Sequence, residues 1–164
     1  MAYSFSAGPA RLPDTVLAQA RETLFSRGAD GAAPVERPFS ASQFRAVLAQ
    51  AQSRLRALLG LPEGYRILFL AGGAMHQFAM VPANLATPGG TVAYADSGYW
   101  AQRAMAEAAK QCRISVVARH GGAQAMAAPD LQDWRLPPDC TYCHITPNET
   151  VEGIAYPSLP ALGE

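Results

Sequence analysis

The chain has 164 residues, long enough for one domain with a real core. Its 13 basic and 13 acidic side chains cancel, so it carries no electrostatic footprint for nucleic acid or an anionic membrane. No apolar run reaches bilayer length and the amino terminus lacks a secretory pattern; with three cysteines, the expectation is a cytoplasmic protein with reduced thiols.

Residues 1–13 hold Phe5-Ser-Ala-Gly-Pro-Ala-Arg-Leu-Pro13, too rich in glycine and proline for regular structure, and read as an extended arm. Residues 14–164 read as one α/β domain. Asp14 is positioned to cap a helix whose apolar residues Val16, Leu17, Ala20, Leu24 and Phe25 recur at helical spacing. Gly28 to Pro38 is loop by composition. Ser40 and Gln43 have the spacing of a capping box. The helix after them, over 43–59, puts Phe44, Val47, Leu48, Ala51, Leu55, Leu58 and Leu59 on one face, and Gly60 with Pro62 ends it.

Ile67 to Ala71 reads as a short buried strand closed by Gly72-Gly73. Met75 to Leu85 is helical in pattern, with Pro82 expected to kink or shorten it. Thr91–Asp96 is a second strand, followed by a helix through about Gln111. Arg113–Ala118 is a third strand, rich in β-branched residues. Residues 119–139 are mostly loop. Cys140–Ile145 is a fourth strand, and 146–153 is a polar turn at its carboxyl end. Alternation of strands and helices predicts a largely parallel sheet with helices on its faces.

In such sheets ligands gather at the carboxyl ends of strands. Gly72-Gly73, Asp96-Ser97-Gly98 and Asn148-Glu149-Thr150 all follow predicted strands. A strand, a glycine turn and a helix start leave amide N–H groups pointing one way, which suits a phosphate. The turn lacks the Lys and Ser/Thr of a P-loop. It also lacks the three-glycine dinucleotide fingerprint, so a Rossmann-type nucleotide-binding domain is the weaker alternative. Trp100 sits where an indole can stack on a flat ring, or simply fill the core. Thr150 can offer a hydroxyl to such a ring's edge, or merely stabilise a turn.

Cys140-x-x-Cys143-His144 has the spacing of covalent haem attachment. Strand alternation would send the two cysteines to opposite faces, and no export signal accompanies them, so they read as buried free thiols. His76 and His120 are isolated; His76, at a helix start, can touch an anion or simply be a surface residue. No metal-ligand set is present.

Taken together and in order, Phe5 to Pro13, Gly72-Gly73-Ala74-x-x-Gln77-Phe78, Asp96-Ser-Gly-Tyr-Trp-Ala101 and Asn148-Glu-Thr-Val-Glu-Gly-Ile154 resemble the phosphoserine aminotransferase family. These are class-V, fold-type I enzymes dependent on pyridoxal 5'-phosphate. The resemblance implies the amino-terminal part of the large domain, an incomplete PLP-transferase fold. It implies that the amides of Ala74 and Met75 hold the cofactor phosphate, that Trp100 stacks on the pyridine ring and that Thr150 hydrogen-bonds the cofactor. The implied reaction moves an amino group between L-glutamate and a phosphorylated 2-oxo acid, 3-phosphohydroxypyruvate, in L-serine and pyridoxine synthesis, by a cytoplasmic homodimer.

Two features depart from the family. Its Schiff-base lysine belongs to a later portion, and the single lysine here, Lys110, cannot stand in for it. Its His-Arg substrate clamp aligns with Phe39-Ser40, and a bidentate guanidinium has no substitute there. The expectation is a truncated gene product with no catalytic residue of its own and little or no transaminase activity. The alternative is a non-catalytic remnant that binds a phosphate ligand or a partner.

Overall fold

The computed structural model describes residues 6, 8, 10–120, 128–130 and 134–159; most of the expected arm, and much of the loop expected over 119–139, lie outside them. Two compact units divide the chain, residues 1–69 and 70–164.

In the first unit, α1 spans Asp14–Leu24 and α2 spans Ser42–Leu59, with a single 3-10 turn at Pro34–Glu36 between them. Asp14 is not the cap of α1. Pro13 holds that position, and Asp14 lies inside the first turn, ion-paired with Arg11 at 3.0 Å. The capping box at Ser40 is likewise absent. The helix starts at Ser42 behind Ala41, which has no side chain to cap with, and Ser42 Oγ turns to Gln43 Oε1 instead. The far end of α2 follows the sequence: Gly60 takes a left-handed φ of 61°, and the Leu61 N–H reaches back to the Arg56 carbonyl at 3.0 Å. Arg56 then gathers the carbonyls of Leu61, Pro62 and Tyr65. Neither helix buries a residue, and Val47, Leu58 and Leu59 on the apolar face of α2 are exposed.

Between the helices the loop is tied to itself. The Arg37 guanidinium grips Asp30 at 2.7 and 2.9 Å and also donates to the Ala32 carbonyl, and this pairing holds the Asp30 carboxyl down at about 2. Phe39, in the turn before α2, is 80 % exposed.

The strand expected at Ile67–Ala71 does not form. Residues 65–70 carry no strand, 71–72 form a turn, and Leu68, Phe69 and Leu70 are exposed rather than buried. An apolar run becomes a strand only when a neighbour completes its ladder, and no strand pairs with this segment among the described residues.

The second unit is built on a parallel sheet of β1 (Thr91–Asp96), β2 (Arg113–Arg119) and β3 (Cys140–His144), in the order β2-β1-β3. The central strand is covered on both faces, and Val92, Ala93, Tyr94 and Ala95 are all buried, as a parallel strand between helices requires. Helix α3 (Gly73–Leu85) runs through Pro82 without being shortened, and Pro82 is buried. Helix α4 (Tyr99–Ala108) presents Ala101, Ala104 and Ala108, all fully buried, at helical spacing. Small side chains let α4 approach β1 closely. Val92, Tyr94, Ala104, Ala108 and Cys112 form one core cluster. Residues 146–153 are more than a turn: Asn148–Glu149 (β4) pairs antiparallel with Ile154–Ala155 (β5).

Because Ala104 has no room around it, Ala104→Leu should overpack the α4–β1 contact and lower stability by about 1–3 kcal/mol. The urea midpoint should fall while the slope of the transition stays unchanged.

Candidate functional site

Strand order places β2 on one side of β1 and β3 on the other, so the chain reverses direction across the sheet at β1. The crevice at the carboxyl ends of β1 and β3 is thus a topological switch point, where open α/β sheets hold their ligands. Two helix starts and the β4 hairpin meet there. A cavity of about 530 Å3 lies among them, lined by Gly72, Gly73, Ala74, Met75, Phe78, Trp100, residues 144–148 and Thr150.

The two helix starts differ in one decisive respect. Helix α4 is capped from within the chain. Its N-cap is Gly98, which has no side chain, and two carboxylates from the β4 hairpin take over. Glu149 accepts from the Trp100 N–H at 2.8 Å, the Ala101 N–H at 2.9 Å and the Ser97 hydroxyl at 2.9 Å. Glu152 accepts from the Tyr99 N–H at 2.9 Å. The first three amides of α4 are therefore satisfied, and the negative charges lie at the positive end of the helix.

Helix α3 has no such partner among the described residues. Gly72, at φ 90°, makes the turn into it, and a Cβ there would overlap the His76 imidazole. Among the described residues no side chain caps the helix. The Gly73, Ala74 and Met75 amides precede the first helical bond, which the His76 N–H makes to the Gly72 carbonyl. An open helix start on an apolar cavity suits an anion brought in from outside.

All four residues expected to contact a cofactor line this cavity: Ala74 and Met75 on the α3 side, Trp100 and Thr150 on the other. The structure joins the last two directly, the Trp100 indole N–H donating to Thr150 Oγ1 at 2.7 Å. That bond occupies a lone pair on the threonine oxygen and leaves its proton to be donated onward. His144 forms part of the wall. Its ring stacks on Tyr94 at 4.8 Å between centroids and meets the edge of Phe78 at 6.1 Å, and burial pushes its pKa below the usual imidazole value. Behind it the Tyr94 and Tyr142 hydroxyls share a hydrogen bond of 3.1 Å, and burial raises both phenols.

Nothing local in the sequence marks Glu149, Glu152 or Ser97 for these roles. Their partners lie about fifty residues away, beyond any local pattern. The cysteines do not sit as strand alternation predicts. A register shift in β3 sets Cys140 beside Thr91 and Cys143 beside Ala93, two positions on one face of β1, so alternation does not separate them. Both are free thiols, and burial followed by the proximity of Cys140 raises Cys143 to about 11. Lys110 lies just beyond α4, ion-paired with Glu107 at 2.6 Å and lining a different cavity, with Pro82 and Cys112.

A Cβ at residue 98 would stand 2.8 Å from the Glu152 carboxylate and 3.1 Å from the Glu149 carboxyl carbon. Gly98→Ala should therefore push both acids off α4 and cost about 1–3 kcal/mol, read as a lower urea midpoint. For His144, burial disfavours the charged form, so the unfolded chain takes up its proton first on acidification. Stability should fall as the pH drops through and below 6.5, and His144→Asn should lose that part of the slope in urea titrations at stepped pH.

The aminotransferase class-V family model matches residues 2–164. The phosphoserine aminotransferase of Stenotrophomonas maltophilia is 39 % identical over 162 residues, and that of Acidithiobacillus ferrooxidans 40 % over 162. Each alignment takes in 99 % of this chain and 45 % of the relative, so the chain spans a little under half the length of these proteins. The solved phosphoserine aminotransferase of Bacillus circulans subsp. alkalophilus superposes with a TM-score of 0.87 at 39 % identity, over 97 % of this chain and 44 % of that one. The PLP-bound phosphoserine aminotransferase of Trichomonas vaginalis superposes with a TM-score of 0.88 at 31 % identity, over 99 % and 49 %. With residues 2–164 matched by the family model, and its parallel sheet and flanking helices shared with these structures, the protein belongs to the aminotransferase class-V family and has part of the PLP-transferase type I fold.

Proposed function

We propose that the cavity is the phosphate-and-ring half of a pyridoxal 5'-phosphate site, and that the chain is the amino-terminal portion of a phosphoserine aminotransferase-like enzyme. One observation carries the reading. The uncapped start of α3 opens on the same cavity as the Trp100 indole and the Thr150 hydroxyl, so an anion donor set, an aromatic face and a hydrogen-bond donor meet in one space. The residues present fit the group: amides of Ala74 and Met75 would take its phosphate, Trp100 its ring face and Thr150 a polar atom on its edge.

When bound, pyridoxal phosphate supplies an electron sink for chemistry at the carbon next to an amino group. This chain's part is to bind and orient it. The α3 amides fix the anionic end, Phe78 and His144 give the cavity apolar and aromatic walls, and the Trp100–Thr150 pair sets the rotation of the ring in its plane. In the proposal residues 14–164 are cofactor-domain sequence. The whole enzyme's substrates are L-glutamate and a phosphorylated 2-oxo acid, its role is L-serine and pyridoxine synthesis, and its assembly is a cytoplasmic homodimer. The names of the relatives support the phosphoserine reading.

For the 164-residue chain alone, the proposal is binding without transamination. Its one lysine is engaged with Glu107 and lines another cavity. Arg37, the arginine nearest in sequence to the expected clamp, is fully engaged by Asp30 and the Ala32 carbonyl.

Quenching of tryptophan emission by added pyridoxal phosphate tests the reading. Saturable quenching is expected, with Trp100→Ala weakening affinity by roughly tenfold, the worth of an aromatic stack, as read by ligand absorbance. Thr150→Val should weaken it by roughly three- to tenfold, the worth of one hydrogen bond. Inorganic phosphate competing as well as the intact cofactor would favour the simple anion-binding alternative. Phosphoserine turnover by this chain would overturn the inactive reading.

A further inference from the structure

We propose that Glu149 is the positioning residue of this cavity: its carboxylate locks the first turn of α4 to the β4 hairpin and so holds Trp100 and Thr150 against each other. The proposal rests on the cofactor reading for what the pair is held toward, though not for the lock itself. Glu149 is flanked by Asn148 and Thr150, both of which line the cavity, but it is itself completely buried behind them. A carboxylate with no access to water needs donors from the protein, and it finds three, the Ser97 hydroxyl and the Trp100 and Ala101 amides.

The geometry makes this more than a helix cap. One of its donors is the backbone of Trp100, and its chain neighbour is Thr150. The side chains of those same two residues close a second bond at 2.7 Å on the cavity side. Trp100 and Thr150 are thus held together twice, through the backbone by Glu149 and at the tips by indole and hydroxyl. The buried bond sets the distance between α4 and β4, and the exposed bond depends on that distance. Glu152 provides an internal comparison. It caps the same helix end through the Tyr99 amide but makes no bond to Trp100 or Thr150.

The test uses the full chain carrying Trp134→Phe, which leaves Trp100 as its only indole. Hydrogen exchange of the indole N–H is followed by NMR beside the β1 backbone amides, which report whether the unit is folded. Glu149→Gln should speed indole exchange at least tenfold with β1 still protected, while Glu152→Gln should change it less than threefold. Equal effects from both variants would reduce Glu149 to an ordinary cap, and no effect from Glu149→Gln would remove even that role; either result overturns the proposal. If Glu149→Gln loses β1 protection, Glu149→Asp decides, keeping the charge with one methylene less reach. Faster indole exchange in the folded aspartate variant supports the lock, and unchanged exchange overturns it. Titration with pyridoxal phosphate then separates the two readings. Saturable binding weakened about tenfold by Glu149→Gln supports both. Failure of the parent to bind, with the indole result intact, removes the cofactor reading and leaves the lock standing.

Discussion

A buried carboxylate that must find donors is the constraint on which the carboxyl edge of this sheet depends. Glu149 lies where water cannot reach it, and it takes its donors from the Trp100 and Ala101 amides of α4 and the Ser97 hydroxyl. Satisfying it fixes the β4 hairpin over the end of β1. That placement sets one wall of the cavity, because Trp100 and Thr150 are its immediate neighbours in bond and in sequence. Gly98 is part of the same solution, since any side chain there would stand against both capping acids.

The opposite wall follows an inverse logic. Helix α3 begins on glycines and has no acid to satisfy it among the described residues, so its amides stay available to an external anion. Two helix starts flank one cavity, one closed by the chain's own carboxylates and the other open. This asymmetry gives the cavity its polarity, an anion-accepting side facing an aromatic and hydroxyl-bearing side. Membership of the class-V aminotransferases and the fold shared with solved phosphoserine aminotransferases supply the chemical context in which this polarity suits the proposed ligand, a flat phosphorylated ring.

Sequence legibility followed the range of the interactions. Helix α2 and its end at Gly60 were readable because periodicity and a left-handed glycine are local signals. Strands β1, β2 and β3 were readable from compact apolar runs between turns, and the four cavity residues from motifs that kept their order. What failed was whatever depended on a distant or missing neighbour. Ile67–Ala71 has strand composition but no ladder partner among the described residues. The bulge that brings Cys140 and Cys143 to one face is a property of pairing with β1, not of the β3 sequence. Ser40 and Gln43 had the right spacing for a cap, yet the backbone entered the helix one residue later than that cap requires.

The hydrogen bonds that build the cavity's inner wall also carry a kinetic consequence. Those joining Ser97, Trp100 and Ala101 to Glu149 and Thr150 span 48 to 52 residues of chain. Closing loops of that length costs entropy before any of these contacts can repay it. Three of them converge on one carboxylate, so they should form together. Site assembly should accordingly be a late and cooperative event in folding. A nascent chain would hold the residues of both α3 and α4 before the β4 hairpin that closes the aromatic wall had been made.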